Sequence, residues 1–461
     1  MHEVGPPPTG RVRPAGRRRP PLPPPRRAWR GAAGAVAAST LAMAVALWAV
    51  NGGADGEPLS ALGRLTGLLA SDLLLLQVLL MARIPLVERV FGQDRLARWH
   101  RWTGFSSFHL MLAHIVFITI GYAGGARTDV LGELWELIAD YPGMLLATAG
   151  TLLLALVVVT SIRAARRRLR YESWHLLHLY AYLGVGLALP HQIWTGTDFT
   201  GSAWSRAYWW TLYAAAVLTV VTFRAGLPLW RSVYHRLRVE QVVAESPGVV
   251  SVYLRGHRLD RLPIRAGQFF LWRFLDGPGW SRAHPYTLSA GPAGDVLRIT
   301  VKDLGDGSRR VHRLRPGTRA LLEGPYGALT AAQSTGRPPL LVAAGVGITA
   351  MRALLDDLAA PDAVLLYRVR GRAEAVFRSE LDALSRRRGV GLVYLEGRRS
   401  RRGSWLPAGL DVPGMLHHLV PDVAVREAYL CGPPEWMAAV HTELRAAGLP
   451  AGRIHREEFA W

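Results

Sequence analysis

The sequence predicts a six-helix transmembrane bundle followed by a small β-barrel and an α/β nucleotide-binding domain. Three observations carry this reading. Apolar residues concentrate before about residue 228, in runs long enough to cross a bilayer, which takes roughly 20 residues each. Four histidines sit inside those runs at two nearly equal spacings, His100 with His114 and His178 with His191. Beyond residue 229 the texture changes to short alternating strands, then to strand–helix alternation.

The six runs read as spans are 31–50, 60–82, 102–123, 142–162, 173–193 and 207–227. Ahead of them, residues 1–30 are rich in proline and arginine and read as a disordered tail. A net charge of +21 would ordinarily raise nucleic acid as a partner. Here the arginines are placed by topology instead. Eight precede the first span, five lie in 83–101 and five in 163–170. The alternate loops 51–58 and 124–141 hold one basic residue, Arg127, against six acidic ones. The positive-inside rule then puts the N-terminus, both Arg-rich loops and everything after 228 in the cytoplasm of a multi-pass cell-membrane protein. No nucleic-acid partner is needed to account for the charge, and cytosolic Arg clusters suit anionic lipid headgroups. The single cysteine, Cys431, excludes intrachain disulfides and cysteine-ligated zinc or iron–sulfur centres.

Ionisable side chains in a bilayer are expensive and usually functional, and neutral imidazole is a standard axial ligand of haem iron. On a helix, His100 and His114 lie about 21 Å apart along the axis, and His178 and His191 about 20 Å apart. In a hydrocarbon core about 30 Å thick, each pair has one member near each face. With both helices running outward, His100 faces His178 near the cytoplasm and His114 faces His191 near the exterior. The result is a transmembrane haem bundle with two stacked bis-histidine haem b groups. The turn angle brings His114 back to within about 40° of His100 but leaves His191 about 140° from His178. Pro190 is placed to distort that last turn and re-aim His191. His175 rivals His178 for the inner position, and His109 lies on neither face.

In the cytosolic half, strands are expected at 249–254, 269–272 and 296–301, set apart by Gly and Pro clusters, giving a barrel over 229–332. Residues 333–461 follow a βαβ pattern, with strands at 340–342, 364–367 and 391–395. The motif Gly345-x-Gly347-x-Thr349-Ala350 meets a loose dinucleotide pattern, in which backbone amides at a helix N-terminus approach a pyrophosphate. About 20 residues on, NAD-specific folds place an acidic side chain on the ribose. This chain has Arg368, Arg370 and Arg372 there, and Arg398 and Arg399 later. Guanidinium suits a 2′-phosphate, so the expectation is NADPH, held by Arg370 and Arg398.

The stretch His100-Arg101 to His114, with Trp174-x-x-x-His178 to His191, resembles the ferric reductase transmembrane superfamily, which includes the NADPH oxidases. That resemblance implies haem iron held by histidines on the third and fifth spans, here His100, His114, His178 and His191. Residues 240–461 resemble the ferredoxin–NADP reductase superfamily. Arg265-Ala266-Gly267-Gln268-Phe269 is similar to the strand leading to the flavin. His284-Pro285-Tyr286-Thr287-Leu288-Ser289 resembles the flavin motif, which implies Tyr286 on the FAD ring, Thr287 at its N5 edge and His284 by its phosphates. Lys302, the only lysine in the chain, resembles with Gly307-Ser308 the turn that binds the FAD pyrophosphate. Glu323-Gly324-Pro325-Tyr326-Gly327 and Cys431-Gly432-Pro433-Pro434 resemble the elements lining the nicotinamide, with Cys431 a positioning group. The resemblance also implies a C-terminal aromatic over the flavin, Phe459 or Trp461.

Together these expectations describe an oxidoreductase. It would pass electrons from cytosolic NADPH through FAD and two haems to a small acceptor at the outer face, a ferric complex or dioxygen. At the position where some oxidase relatives carry one more histidine beyond the outer ligand, this chain has Ile118. The competing readings are a reductase of a membrane quinone or partner protein, and a haem-based sensor or assembly subunit without turnover.

Overall fold

The structure, a computed structural model, describes residues 26–126, 129–166, 168, 171–291, 294–358, 362–400 and 404–457. The chain divides into two compact units, and the main change of unit falls between Arg224 and Ala225.

The first unit is helical. Its long helices are α1 (Arg26–Val50), α2 (Pro58–Leu80), α4 (Gln93–Ala126), α6 (Met144–Ser161), α8 (Tyr171–Trp194) and α10 (Ala203–Val220). Short helices α5 (Val130–Asp140), α7 (Arg163–Arg166) and α9 (Thr197–Thr200) lie between them, and α3 (Pro85–Phe91) follows α2 in sequence, with its Glu88–Phe91 part grouped with the second unit. Among the described residues, five helices are long and apolar enough to cross a membrane. The fifth expected span forms as α8, yet it is not one of the five. Its sequence carries Glu172, His175, His178, His191 and Gln192, and these polar groups dilute its apolar character. The expected span 207–227 corresponds to α10 followed by a π-helical turn, Val221–Gly226.

Helix starts follow local chemistry. The Glu57 carboxylate accepts the Ser60 amide at 2.7 Å, with Pro58 at the first helical position of α2. Helix α2 packs on α4 and α6 on α8. Small residues allow the close approach, as they must where lipid is as apolar as leucine. A Cβ at Gly67 would lie 2.7 Å from the His114 ring, and one at Gly184 would lie 3.0 Å from the Gly150 carbonyl.

The second unit begins with α11 (Leu227–His235). It continues through β1 (Arg238–Ser246), β2 (Val249–Arg255), β3 (Phe269–Phe274), β4 (His284–Thr287), β5 (Val296–Lys302), α12 (Asp306–Val311) and β6 (Ala320–Tyr326). These strands form two three-stranded antiparallel sheets, ordered β1-β2-β5 and β4-β3-β6. Single bridges, Arg238 to Arg319 and Leu288 to Ile299, join strands and flanking segments outside these ladders. Strand alternation turns Val252, Leu254, Phe270, Trp272, Leu297, Ile299 and Leu322 into a shared core.

The rest of the unit comprises β7 (Pro339–Ala344), α13 (Ile348–Asp357), β8 (Val364–Val369), α14 (Arg378–Arg388), β9 (Gly391–Glu396) and α15 (Met415–Leu419). It ends with β10 (Glu427–Cys431), α16 (Pro434–Ala446) and β11 (Ile454–Arg456). The sheet is parallel, in the order β11-β10-β7-β8-β9. The chain winds one way from β7 to β9 and the other way from β10, so the topological switch lies between β7 and β10. Ligands of open parallel sheets bind at the strand carboxyl ends at such a switch.

Candidate functional site

In the helical unit, α4 and α8 meet through their histidines. The His100 and His178 rings lie 5.8 Å apart between centroids, and the His114 and His191 rings 6.2 Å apart. Two imidazoles each about 2 Å from one first-row metal ion would have centroids about 6 Å apart. Every ring also has its Nδ1 engaged. His100 donates to the Gln77 carbonyl at 3.2 Å and His114 to the Gly63 carbonyl at 2.8 Å. The Ser161 hydroxyl lies 3.3 Å from His178 Nδ1, and the Thr195 hydroxyl 2.9 Å from His191 Nδ1. A carbonyl partner fixes the tautomer and leaves the Nε2 lone pair for a metal, the arrangement expected of a ligating histidine. These residues fit haem. His109 is exposed and bonds the Phe105 carbonyl in its own helix. Trp174 packs against the His178 ring at 5.1 Å and donates to Ser161, so it braces that position.

On the flavin side, β4 pairs with β3 so that His284 sits opposite Trp272 and Thr287 opposite Phe269. The His284 and Tyr286 rings stack at 6.2 Å, and Trp272 donates to the Tyr286 carbonyl at 3.2 Å. Burial pushes the Tyr286 phenol up, so it stays a neutral hydroxyl. Gly307 lies under His284, where a Cβ would come 2.5 Å from the imidazole. The turn after Lys302 and the 284–289 motif are thus neighbours, and the glycine keeps a cradle open beside the ring. These residues fit a flavin.

Three side chains expected to contact cofactor also bond within the protein. Ser289 is fully buried, and its hydroxyl donates to the Arg298 carbonyl at 3.3 Å and accepts from Thr300 at 2.8 Å. Gln268 accepts the Arg265 amide at 2.8 Å and donates to the Gly327 carbonyl at 3.4 Å, so its amide ties two loops together. The Ser308 hydroxyl donates to the Gly305 carbonyl at 2.9 Å and accepts the Leu304 amide at 2.8 Å, bracing its own turn. Short polar side chains favour such local backbone bonds. These bonds shape the loops that carry the motif.

At the nucleotide sheet, Gly345 and Gly347 follow β7, and Gly345 has a left-handed φ of 54°. Gly347 lies so close to the Cys431 carbonyl that any side chain would overlap it. The glycine pattern here therefore reflects packing of the β7 turn on the β10 turn at the switch point. Thr349 bonds the Val346 carbonyl at 2.9 Å. Cys431 is buried, and burial pushes its thiol up to about 12, so it remains a protonated, uncharged group at neutral pH. Gly432 and Pro433 lead from it into α16, with Gly432 against the Trp436 ring. Phe459 and Trp461 lie outside the described residues. Glu457, just before them, accepts the Leu329 amide at 3.3 Å beside Gly327.

Arg370 and Arg398 are exposed just beyond β8 and β9. Two further arginines lie deeper there. Arg368 reaches the Gly397 carbonyl at 3.4 Å and Arg399 the Ser404 carbonyl. Among the described residues, each keeps one buried guanidinium nitrogen without a hydrogen-bond partner, Arg368 Nε and Arg399 Nη2. Burial, then the neighbouring charges of Arg399 and Arg370, pull the Arg368 pKa down. Buried donors left unpaired among like charges are chemically suited to an anion. Sequence reading listed these arginines but chose their outward neighbours.

Fold and site define a membrane protein with a flavin- and nicotinamide-type reductase module. A family model described as a ferric reductase like transmembrane component matches residues 66–189. That span includes His100, His114 and His178 and stops two residues short of His191. A flavohemoprotein of Xylella fastidiosa is 30% identical over 276 residues, 56% of this chain and 67% of that protein. The ferredoxin reductase component of a 3-ketosteroid-9-alpha-monooxygenase from Mycolicibacterium smegmatis is 32% identical over 235 residues, 48% of this chain and 65% of that one. The chain thus spans about two thirds of the length of these relatives. The FAD/NAD binding domain of a nitric oxide dioxygenase from Vibrio cholerae aligns with a TM-score of 0.40 at 26% identity, covering 49% of this chain and 98% of that domain. The chain thus carries a ferric reductase-like transmembrane domain over residues 66–189, together with an FAD/NAD-binding module of the ferredoxin-reductase type.

Proposed function

We propose that the chain is a transmembrane NADPH:acceptor oxidoreductase, with NADPH on the cytoplasmic side and an acceptor, a ferric complex or dioxygen, at the outer face. The observation that carries it is the double histidine pairing, at 5.8 Å and 6.2 Å, with all four Nδ1 atoms engaged. When bound, FAD supplies hydride acceptance and release of single electrons, and two haem b groups supply one-electron carriage.

The chain's own residues do the positioning. His100 with His178, and His114 with His191, would hold haem iron through their Nε2 atoms. His284 and Gly307 shape the bay for the flavin phosphates, and Tyr286 and Thr287 set the ring. Lys302 adds a positive charge at the end of β5. Gly345, Gly347 and Gly432 bring the β7 and β10 turns together where the nicotinamide must lie. Protonated Cys431 packs there without competing as a nucleophile. The anion site of Arg368 and Arg399, with Arg370 and Arg398 at its rim, receives the 2′-phosphate.

Stopped-flow spectra of purified protein under nitrogen test this reading. NADPH should reduce flavin and both haems in one preparation, and added ferric citrate or oxygen should reoxidise them. Haems that stay oxidised with NADPH would leave a sensor or assembly role.

A further inference from the structure

We propose that Asp72 is a proton-binding site inside the membrane half, taking up a proton when an electron arrives there. The inference rests on the electron route proposed above.

Asp72 lies in the apolar helix α2 and has no exposed surface. An ionisable side chain in a bilayer-spanning helix is costly, and its retention points to function. Its Oδ1 is 2.8 Å from the Tyr208 hydroxyl of α10, and its Oδ2 is 3.1 Å from the Thr40 hydroxyl of α1. Each hydroxyl has a second acceptor. Tyr208 is also 2.9 Å from the Thr40 carbonyl, and the Thr40 hydroxyl is 3.0 Å from the Ala37 carbonyl.

Hydrogen counting gives the site two complete states. A hydroxyl owns one hydrogen. With Asp72 ionised, Thr40 and Tyr208 both donate to the carboxylate. With Asp72 protonated, its own hydrogen goes to the Tyr208 oxygen, and the phenol turns its hydrogen to the Thr40 carbonyl. No heavy atom has to move between the two. A carboxylate present only for structure needs one arrangement, whereas this one is provided with both.

The surroundings favour a response to redox charge. Helix α1 faces Asp72 with Thr40, which does not titrate, and α10 with Tyr208. Gln192 and Tyr213 bond each other nearby. From α4, His114 lies against Gly63 and Gly67, and His100 against Gln77, one toward each end of α2. Among the described residues no arginine or lysine is paired with Asp72. Gly67 is five residues from Asp72, about 7.5 Å along the helix. The neighbouring Ser71 accepts from Gln192 at 3.2 Å, and Gln192 follows His191. An electron added at the outer histidine pair adds negative charge to the same helix bundle as this carboxylate, in a medium of low dielectric. Protonating Asp72 relieves that repulsion. The step balances: one electron from NADPH enters, one proton from the aqueous phase forms an O–H bond on Asp72, and the net charge is unchanged.

Reduced-minus-oxidised infrared difference spectra of the haem-loaded full chain test this. Reduction should produce a carboxylic-acid carbonyl band that shifts in D2O and is absent in Asp72→Asn. No such band in the wild type, or one that survives in Asp72→Asn, overturns the proposal. If Asp72→Asn does not fold, Tyr208→Phe removes the acceptor of the acid hydrogen and should move the band, and an unmoved band overturns it. Optical haem counts on the same sample keep the two readings apart, because absent haem defeats the proposed function and haem without the band defeats this inference. Redox titration gives a second measure. The outer midpoint potential should fall with pH by up to about 59 mV per unit, a tenfold change in proton concentration for one electron. In Asp72→Asn that slope should flatten, and an unchanged slope counts against the site.

Discussion

Arg298 of β5 and Glu380 of α14 form an ion pair at 2.9 Å, joining the antiparallel sheets to the nucleotide-binding layer. Arg352 of α13 meets the same carboxylate at 2.5 Å and also bonds Asp356 at 2.6 Å. Asp356 and Asp357 in turn accept the backbone amides of Gly291 and Ala266. Burial alone would raise the Glu380 pKa, but the two guanidinium groups outweigh it and hold the carboxyl below its ordinary value of 4.5.

The first prediction follows from that sign. A carboxyl depressed in the folded state adds stability above its unfolded pKa, and the gain is lost as pH falls through the folded value. Glu380→Gln should therefore lower the melting temperature of the second unit near pH 7, with a loss of about 2–3 kcal/mol. That is below the usual range for breaking a buried pair, because the carboxylate is partly exposed. The gap between variant and wild type should close as pH drops below about 4.5, the ordinary glutamate range. Melting curves across pH measure this, and a gap constant with pH would assign Glu380 a packing role only.

The second prediction concerns the paired rings. His114→Ala or His191→Ala should remove the outer haem and leave the inner one, halving the haem-to-protein ratio in optical spectra. His109→Ala should keep both, since that ring is exposed and bonded within its own helix. Loss of the inner haem in His175→Ala, with retention in His178→Ala, would move the inner ligand one turn toward the N-terminus.

What sequence reading could and could not reach has a common cause. The histidine spacings, the strands at 249–254 and 364–367 and the glycine turn after β7 are local patterns, set by helical rise and strand alternation. The Arg298–Glu380 pair spans 82 positions and the Asp72–Tyr208 bond 136, so neither leaves a local trace. Angular bookkeeping on an ideal helix left His191 about 140° from His178. In the structure both rings of α8, which contains Pro190, nevertheless meet rings of α4. Ser289 and Ser308 match a flavin motif by type, and their hydroxyls also bond neighbouring backbone carbonyls, which composition alone does not reveal.

A third prediction uses the glycine beneath His284. Gly307→Ala places a methyl group against the imidazole, and overpacking of this kind typically costs about 1–3 kcal/mol. FAD retention should weaken about 5- to 150-fold, at 1.4 kcal/mol per decade, while haem content stays unchanged. Flavin release measured by fluorescence after gel filtration reads this. Unchanged retention would place the flavin phosphates away from the glycine turn.

The last prediction is a preference for NADPH over NADH that rests on Arg368 and Arg399 more than on Arg370 and Arg398. The inner pair carries guanidinium nitrogens that are buried and, among the described residues, unpartnered. The outer pair is exposed to water, which already solvates it. A phosphate gains most from donors that have lost their water, and a hydrogen bond to a charged group contributes about 1.5–3 kcal/mol. Removing one inner arginine should raise the NADPH Michaelis constant about 10- to 150-fold. Loss of Arg370 or Arg398 should have a smaller effect that salt screens. NADH carries no phosphate there, so its kcat/KM should barely change in any of the four variants. Steady-state kinetics with both cofactors in Arg368→Ala, Arg399→Ala, Arg370→Ala and Arg398→Ala separate the pairs. Equal losses for NADPH and NADH in Arg368→Ala would show that it supports the β8–β9 edge through Gly397 instead. A wild type that prefers NADH would remove the basis for a 2′-phosphate site at these strand ends.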